Sequence, residues 1–305
     1  MGEADRLLVL TGTTSSGKNR LGTRWAELVN AEIISLDSMK VYRGMNIGTA
    51  KPSAELRGRV PHHLLDLLDP LERMDLRQFV SRAENAIAEI HSRGHRVVVV
   101  GGTAMYLNGV LYGVHSGPSR DLEFRTRLRQ ERDEVGIAAL HARLSEVDAK
   151  AAAKIDAHDY QRIERALEIV VLTGKGPSEQ KNNWFCEPRY SFRVVVVTWP
   201  RDVLRTRIEA RVEQMFEAGW IEEVKAIESK GGFSDEAARA LGYPQIMAYL
   251  SGELSLEAAK ERTKVKTWQF ARRQLTWMKK YQDAEVILRS EGDDLEALAQ
   301  RLAEE

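Results

Sequence analysis

Leu7-Leu8-Val9-Leu10-Thr11-Gly12-Thr13-Thr14-Ser15-Ser16-Gly17-Lys18-Asn19 sets an apolar run directly before a glycine-bracketed loop and a lysine. Beyond it, Leu21, Trp25, Leu28 and Val29 recur at helical spacing. A buried strand, a tight loop and a helix in that order form the context of a phosphate-binding loop. Glycines let successive backbone N–H groups converge on phosphate oxygens, and the helix N-terminus adds its positive end. Lys18 supplies a mobile charge. A polyphosphate- or diphosphate-binding loop over Gly12, Thr13, Thr14, Ser15, Ser16, Gly17, Lys18 and Asn19 is therefore expected. The competing reading is a glycine-rich turn that merely caps a helix. One letter departs from the pattern: the usual final Ser or Thr hydroxyl, a magnesium ligand, is Asn19.

Outward from the loop, strand-like and helix-like segments alternate. Ala31-Glu32-Ile33-Ile34-Ser35-Leu36 ends in Asp37-Ser38, and Val97-Val98-Val99-Val100 runs into Gly101-Gly102-Thr103. Between them Asp75 to His91 carries Leu76, Phe79, Val80, Ala83, Ile87 and Ile90 at helical spacing, with Gly94 as a stop. Such alternation predicts an α/β fold, a P-loop-type parallel sheet with helices on both faces. Ligands of these sheets sit beyond the carboxyl ends of the strands, where Gly12 to Asn19, Asp37 and Thr103 would meet.

Around Tyr112 to Arg120 the composition shifts to Gly, Ser and Pro. From Asp121 to about Thr173 the pattern is helical and strongly charged, so an all-helical domain is inserted into the core. Lys175 to Pro188 reads as a return linker, and Phe192 to Trp199 as the strand where the core resumes. The remainder reads as helical, with Leu295, Leu298 and Leu302 a packing stripe. The expected division is 1–117 and 187–305 for the α/β core and 118–186 for the insertion.

The 305 residues carry 45 Lys and Arg against 45 Asp and Glu, so only local patches could attract nucleic acid. Lys260 to Lys280 is one such patch: eight basic residues, one acid (Glu261), and Trp268, Phe270 and Trp277 interleaved. The plain alternative is an amphipathic helix with its aromatics inward. Arg207 and Arg211, one turn apart, are by spacing surface ion-pair partners or an anion clamp, with the former favoured. His62-His63 lacks companions for a metal site. The single cysteine, Cys186, rules out an internal disulfide framework and a cysteine zinc site, which fits a reducing cytoplasm. No secretion signal and no membrane span are expected.

Asp37 is a candidate base or metal ligand, or else a turn residue. After Val100 an ordinary P-loop NTPase would carry an acid for magnesium; Gly101-Gly102-Thr103 stands there instead, suited to letting small donors approach an anion.

Gly12 to Lys18, Asp37 to Met45, Ile47 to Pro52, Pro61 to Asp66 and Gly101 to Thr103 together resemble the bacterial tRNA dimethylallyltransferase (tRNA isopentenyltransferase) family. Asp159 to Glu168, Gly242 to Gln245 and Ala271 to Trp277 continue the likeness, which runs in order from about residue 7 to 280. The resemblance implies an enzyme that moves a dimethylallyl group from dimethylallyl diphosphate to N6 of adenosine 37, beside the tRNA anticodon, and releases diphosphate. It implies Asp37 as the base, with Lys18, Thr103 and Arg211 and the loop backbone gripping the diphosphate, and Mg2+ alongside at Asn19. Contacts to tRNA are implied for Asp37, Ser38, Met39, Lys40, Thr103, Arg125, Gln161, Arg162, Ile163, Glu164, Arg165, Gly242, Tyr243, Arg272 and Arg273. A cytoplasmic monomer is expected.

Besides Asn19, Asn46 stands where the family has Asp, and Thr13 where it has Pro. Altered metal dependence follows as an expectation. The rival readings are a P-loop small-molecule or nucleotide kinase and a catalytically weakened relative that still binds tRNA.

Overall fold

A computed structural model describes residues 6–114, 117–118, 120–180 and 187–304. The strands β1 (Leu7–Gly12), β2 (Ala31–Leu36), β3 (His62–His63), β4 (Arg96–Gly101), β5 (Phe192–Thr198) and β6 (Glu285–Leu288) form one sheet. Their order is β3-β2-β4-β1-β5-β6, and every pairing is parallel. Burial on both faces explains the continuous apolar runs. In β1, Leu7 and Val9 join one core while Leu8 and Leu10 join the other, and Val97 to Val100 divide the same way. Truncating one of these leucines to alanine would cost about 2–5 kcal/mol.

The chain crosses from β1 to β2, returns to insert β4 between them, then leaves on the other side to β5 and β6. The carboxyl ends of β2, β4, β1 and β5 therefore stand side by side at the reversal of strand order, where such sheets take their ligands. Helix Leu76–Ser92 begins at a reciprocal cap: Gln78 N–H donates to Asp75 Oδ1 at 2.8 Å, and Asp75 N–H to Gln78 Oε1 at 3.0 Å. The C-terminal stripe is packing, as expected, with Leu302 buried and Leu295 and Leu298 against the same core.

Two strands escape the periodicity reading. β3 has two residues, and β6 falls in the region read as wholly helical. In β6 only Ile287 is buried, because this edge strand pairs with β5 alone and leaves Val286 and Leu288 exposed. No buried run betrays it.

A second compact unit spans His115–Trp184; the insertion was expected over 118–186. Its helices are Leu122–Val135, Ile137–Val147, Ala149–Ala152 and Tyr160–Thr173. Asp121, Asp148 and Asp159 each cap a helix by accepting a backbone N–H, and Gly174 (φ 69°) ends the last. Phe124, Leu128, Leu140, Leu144, Ile163 and Leu167 make its own core. The stretch read as a linker contains a short 3-10 turn, Pro177–Glu179, and Cys186 lies outside the described residues.

Candidate active site

The loop after β1 is shaped by backbone necessity. Gly12 sits so close to β5 that a Cβ there would lie 2.1 Å from the Val197 carbonyl oxygen. Ser15 (φ 61°) and Gly17 (φ 87°) then turn the chain into helix Lys18–Leu28. From the β5 side, Trp199 Nε1 donates to Ser16 O at 3.3 Å and Arg207 Nε to Ser15 O at 3.2 Å. From the β4 side, Thr14 N–H donates to Gln274 Oε1 at 2.8 Å, while Gln274 Nε2 donates to Gly102 O at 3.1 Å. Held on both flanks, the loop presents an unfilled set of donors. The first intrahelical bond is Leu21 N–H to Gly17 O, so the N–H groups of Lys18, Asn19 and Arg20 have no intrahelical acceptor. The buried hydroxyls of Ser15 and Ser16 have no protein partner. Orphaned donors of this kind cost stability unless something accepts from them, and an anion would.

Asp37, Ser38, Met39, Lys40, Thr103 and Arg211 line the same cavity of about 600 Å³ as Thr14 to Asn19. The Asp37 carboxylate accepts the Met39 N–H through Oδ1 at 2.9 Å, leaving Oδ2 for another partner. Thr103 Oγ1 accepts the Ser38 N–H at 3.4 Å, joining the ends of β2 and β4. Ile208, Val212, Met215 and Phe270 give the wall an apolar part. An anion cradle, a carboxylate and a greasy surface thus share one chamber.

Its electrostatics are lopsided. Burial, then the charges of Lys40 and Arg211, push the Lys18 ammonium down to a pKa of about 7, against a weaker pull from Asp37. Burial likewise lowers Lys40 and Arg211, each again opposed by Asp37. Lys18 donates only to the Thr13 carbonyl, at 2.9 Å, and Lys40 to Asn19 Oδ1, at 3.3 Å. None of the three makes an ion pair among the described residues.

Asn19 does not fit the expected role of magnesium ligand. Its Nδ2 donates to Ala50 O at 3.2 Å, which turns Oδ1 to the Lys40 ammonium. A dication on that oxygen would stand about 4 Å from the ammonium, a repulsion of about 8 kcal/mol at an effective dielectric of about 20. Among the described residues no three His, Cys, Asp or Glu side chains gather to hold a metal.

Several expected positions change meaning. Lys40, expected to contact tRNA, is 6% exposed and belongs to the cradle. Arg207 is no surface ion-pair partner: it stacks 4.2 Å from the Trp199 ring and donates to the loop, and Arg211 lines the cavity. Tyr243 is fully buried, its hydroxyl donating to Glu223 at 2.6 Å, and buried Gly242 has no room for a Cβ against Trp220. Ile163 is in the helical unit's core. Buried Glu164 accepts from Tyr160 at 3.0 Å and pairs with Arg125, and Arg125 also grips Glu168 with two bonds of 2.7 Å. Arg165 is tied to Glu168 and to the Pro118 carbonyl. Burial or internal pairing gives these side chains roles inside the protein, although the Arg165 side chain stays 36% exposed. Gln161, Arg162, Arg272 and Arg273 remain on the surface. In the basic stretch, Lys260 and Lys264 converge on Glu213, each at 2.8 Å, and Trp268 packs on a small core, so part of that patch is structural. Asn46 is exposed and accepts from Lys51 at 3.1 Å; it does not line the cavity. His63 meets Glu32 at 2.6 Å and His62 the Val60 carbonyl, both packing roles.

Gln274, Trp199, Arg289 and Glu223 are functional supports that sequence reasoning did not single out. Arg289, just past the overlooked β6, also lies over the Trp199 ring, 4.9 Å from its centroid. Glu223 accepts the N–H groups of Asn46, Ile47 and Gly48 at 2.7, 2.7 and 3.2 Å, fixing a cavity wall. Nothing in the spacing of Glu222-Glu223 marks one acid over the other.

The IPP transferase family profile matches residues 40–281. A tRNA dimethylallyltransferase of Anaeromyxobacter dehalogenans (strain 2CP-C) is 43% identical over 298 residues, 97% of this chain and 99% of that protein. One from Geobacter sulfurreducens is 42% identical over 281 residues, 92% of this chain and 90% of that protein. Among solved structures, the full-length tRNA isopentenylpyrophosphate transferase of Bacillus halodurans is similar with TM-score 0.72 and 36% identity, covering 98% of this chain and 96% of that one. A eukaryotic dimethylallyltransferase captured acting on tRNA reaches TM-score 0.78 at 28% identity, covering 94% and 74%.

Proposed function

This chain belongs to the IPP transferase family, and from that premise we propose that it transfers a dimethylallyl group from dimethylallyl diphosphate to tRNA, at N6 of adenosine 37. The observation that carries this reading is the single chamber shared by the cradle, the Asp37 carboxylate, Thr103 and Arg211. The amine lone pair of adenine is delocalised into its ring, so it is a weak nucleophile. As it attacks the first prenyl carbon, the C–O bond to diphosphate breaks and the amine must shed a proton. Asp37 Oδ2, the oxygen not held by Met39, accepts that proton. Lys18, Arg211, Thr103 and the loop's N–H groups take up the charge growing on the leaving diphosphate. The prenyl tail lies against Ile208, Val212, Met215 and Phe270. A base stacked in an anticodon loop cannot reach such a chamber, so the adenine is flipped out.

Gln161 and Arg162 of the helical unit, with Arg272 and Arg273, are the surface side chains we assign to tRNA; the protein works as a cytoplasmic monomer. Among the described residues no helix is long and apolar enough to cross a membrane. Incubation with unmodified tRNA and dimethylallyl diphosphate, followed by nucleoside analysis, tests the reading. A prenylated adenosine supports it. Its absence, with ATP consumed on a small acceptor, would favour a kinase.

A further inference from the structure

The cradle contains a buried ammonium that the reaction as described does not use. Lys40 leaves the end of β2, is almost wholly buried, and places Nζ 3.3 Å from Asn19 Oδ1 on the first turn of the loop helix. The amide orientation is forced from both ends. Turned over, Asn19 would set its NH₂ against the ammonium and its oxygen against the Ala50 carbonyl, two repulsive contacts in place of two hydrogen bonds. Asn19 thus holds a cation at the place where a hydroxyl would hold a metal ion. Lys18, Lys40 and Arg211 surround the cradle against the lone carboxylate of Asp37, and none has an ion pair among the described residues. Buried cations without counter-charge are costly, and a multiply anionic diphosphate supplies the missing charge.

We propose that Lys40, anchored by Asn19, takes the place of a protein-bound magnesium ion and is a diphosphate-binding residue, so that this chain holds and releases pyrophosphate without a metal at Asn19. The lowered pKa of Lys40, caused first by burial, accords with a site whose charge is satisfied only when the anion arrives. The proposal rests on the diphosphate reading of the chamber, and its test separates the two.

The full chain is titrated calorimetrically with inorganic pyrophosphate, once in EDTA and once with excess magnesium. The wild-type protein should bind in EDTA, with an affinity within about tenfold of that in magnesium. Lys40→Met should lose about ten- to hundredfold in EDTA, the loss typical of a hydrogen bond to a charged group, while Lys40→Arg keeps most of the binding. Asn19→Thr removes the anchor and offers a hydroxyl, so its binding should become magnesium-dependent. Unfolding curves of each variant confirm that the fold survives, and Asn19→Thr carries the test should Lys40→Met fail to fold. Wild-type binding in magnesium alone, or a Lys40→Met isotherm in EDTA equal to wild type, would overturn the proposal and leave the diphosphate reading standing. No pyrophosphate binding in either buffer would overturn both.

Discussion

Arg125 in the helical unit and Lys18 in the sheet unit are both largely buried cations, yet they are provided for in opposite ways. Arg125 makes two bonds of 2.7 Å to Glu168, which is itself shared with Arg165. Lys18 donates to one backbone carbonyl, with two other cations nearby and only the weaker pull of Asp37 against them. The first arrangement is closed: its charges answer one another inside the protein, and removing one deprives its partners of charged hydrogen bonds. The second is open, a surplus of charge that only an incoming anion completes. Buried charge therefore serves the fold in one unit and the ligand in the other, and each can be probed separately.

The largest effect should come from Asp37. Asp37→Ala should lower the rate of tRNA prenylation about 10²–10⁴-fold, the usual worth of a positioned base, while leaving pyrophosphate affinity intact. A rate within a few-fold of wild type would break the assignment. Next comes Lys18→Met, expected to lower kcat/KM about 10²–10³-fold while the melting temperature holds or rises, because burial disfavours the charge it removes. A marked drop in melting temperature would place Lys18 with the closed pairs and erase the contrast.

Arg125→Ala should do the reverse. Glu168 would keep Arg165 and the Asp121 N–H but lose two charged bonds, which should cost the helical unit about 1.5–3 kcal/mol in urea unfolding, with pyrophosphate affinity unchanged. Equal stability of variant and wild type would refute the closed arrangement.

The smallest effect concerns pH. Burial alone would raise the Glu168 carboxyl, but hydrogen bonds from Arg125 and Arg165 outweigh it and hold the pKa at about 2, below the ordinary 4.5. The folded value lies under the unfolded one, so the pairing stabilises fully above the unfolded pKa and its contribution fades as pH falls from about 4.5 toward about 2. Carboxyl-carbon NMR should show Glu168 titrating near the bottom of that window; a midpoint near 4.5 would contradict it.

Much of the sheet unit is legible before any coordinates. Val97 to Val100 can only be a strand buried on both faces, and the loop from Gly12 to Asn19 declares its chemistry by glycine, lysine and position. The helical unit declares itself by charge and period. What escapes is of one physical kind. β6 is an edge strand with one buried residue, too little apolar signal to register. Gln274 bridges Thr14 and Gly102 from positions 260 and 172 residues away, and its neighbours Arg272 and Arg273, identical in character to many surface arginines, give no hint of it.

From its sequence alone the chain determined its alternating elements, its phosphate loop, its inserted helices and its family, because period, glycine placement and motif order are properties of neighbouring residues. Only the tertiary structure decided which charges are spoken for. Glu164 and Arg125 on the one hand, Lys40 and Arg211 on the other, read alike as polar letters on helices or strand ends. Whether a buried charge finds its counterpart inside the protein depends on packing between elements distant in the chain, and period carries no record of that.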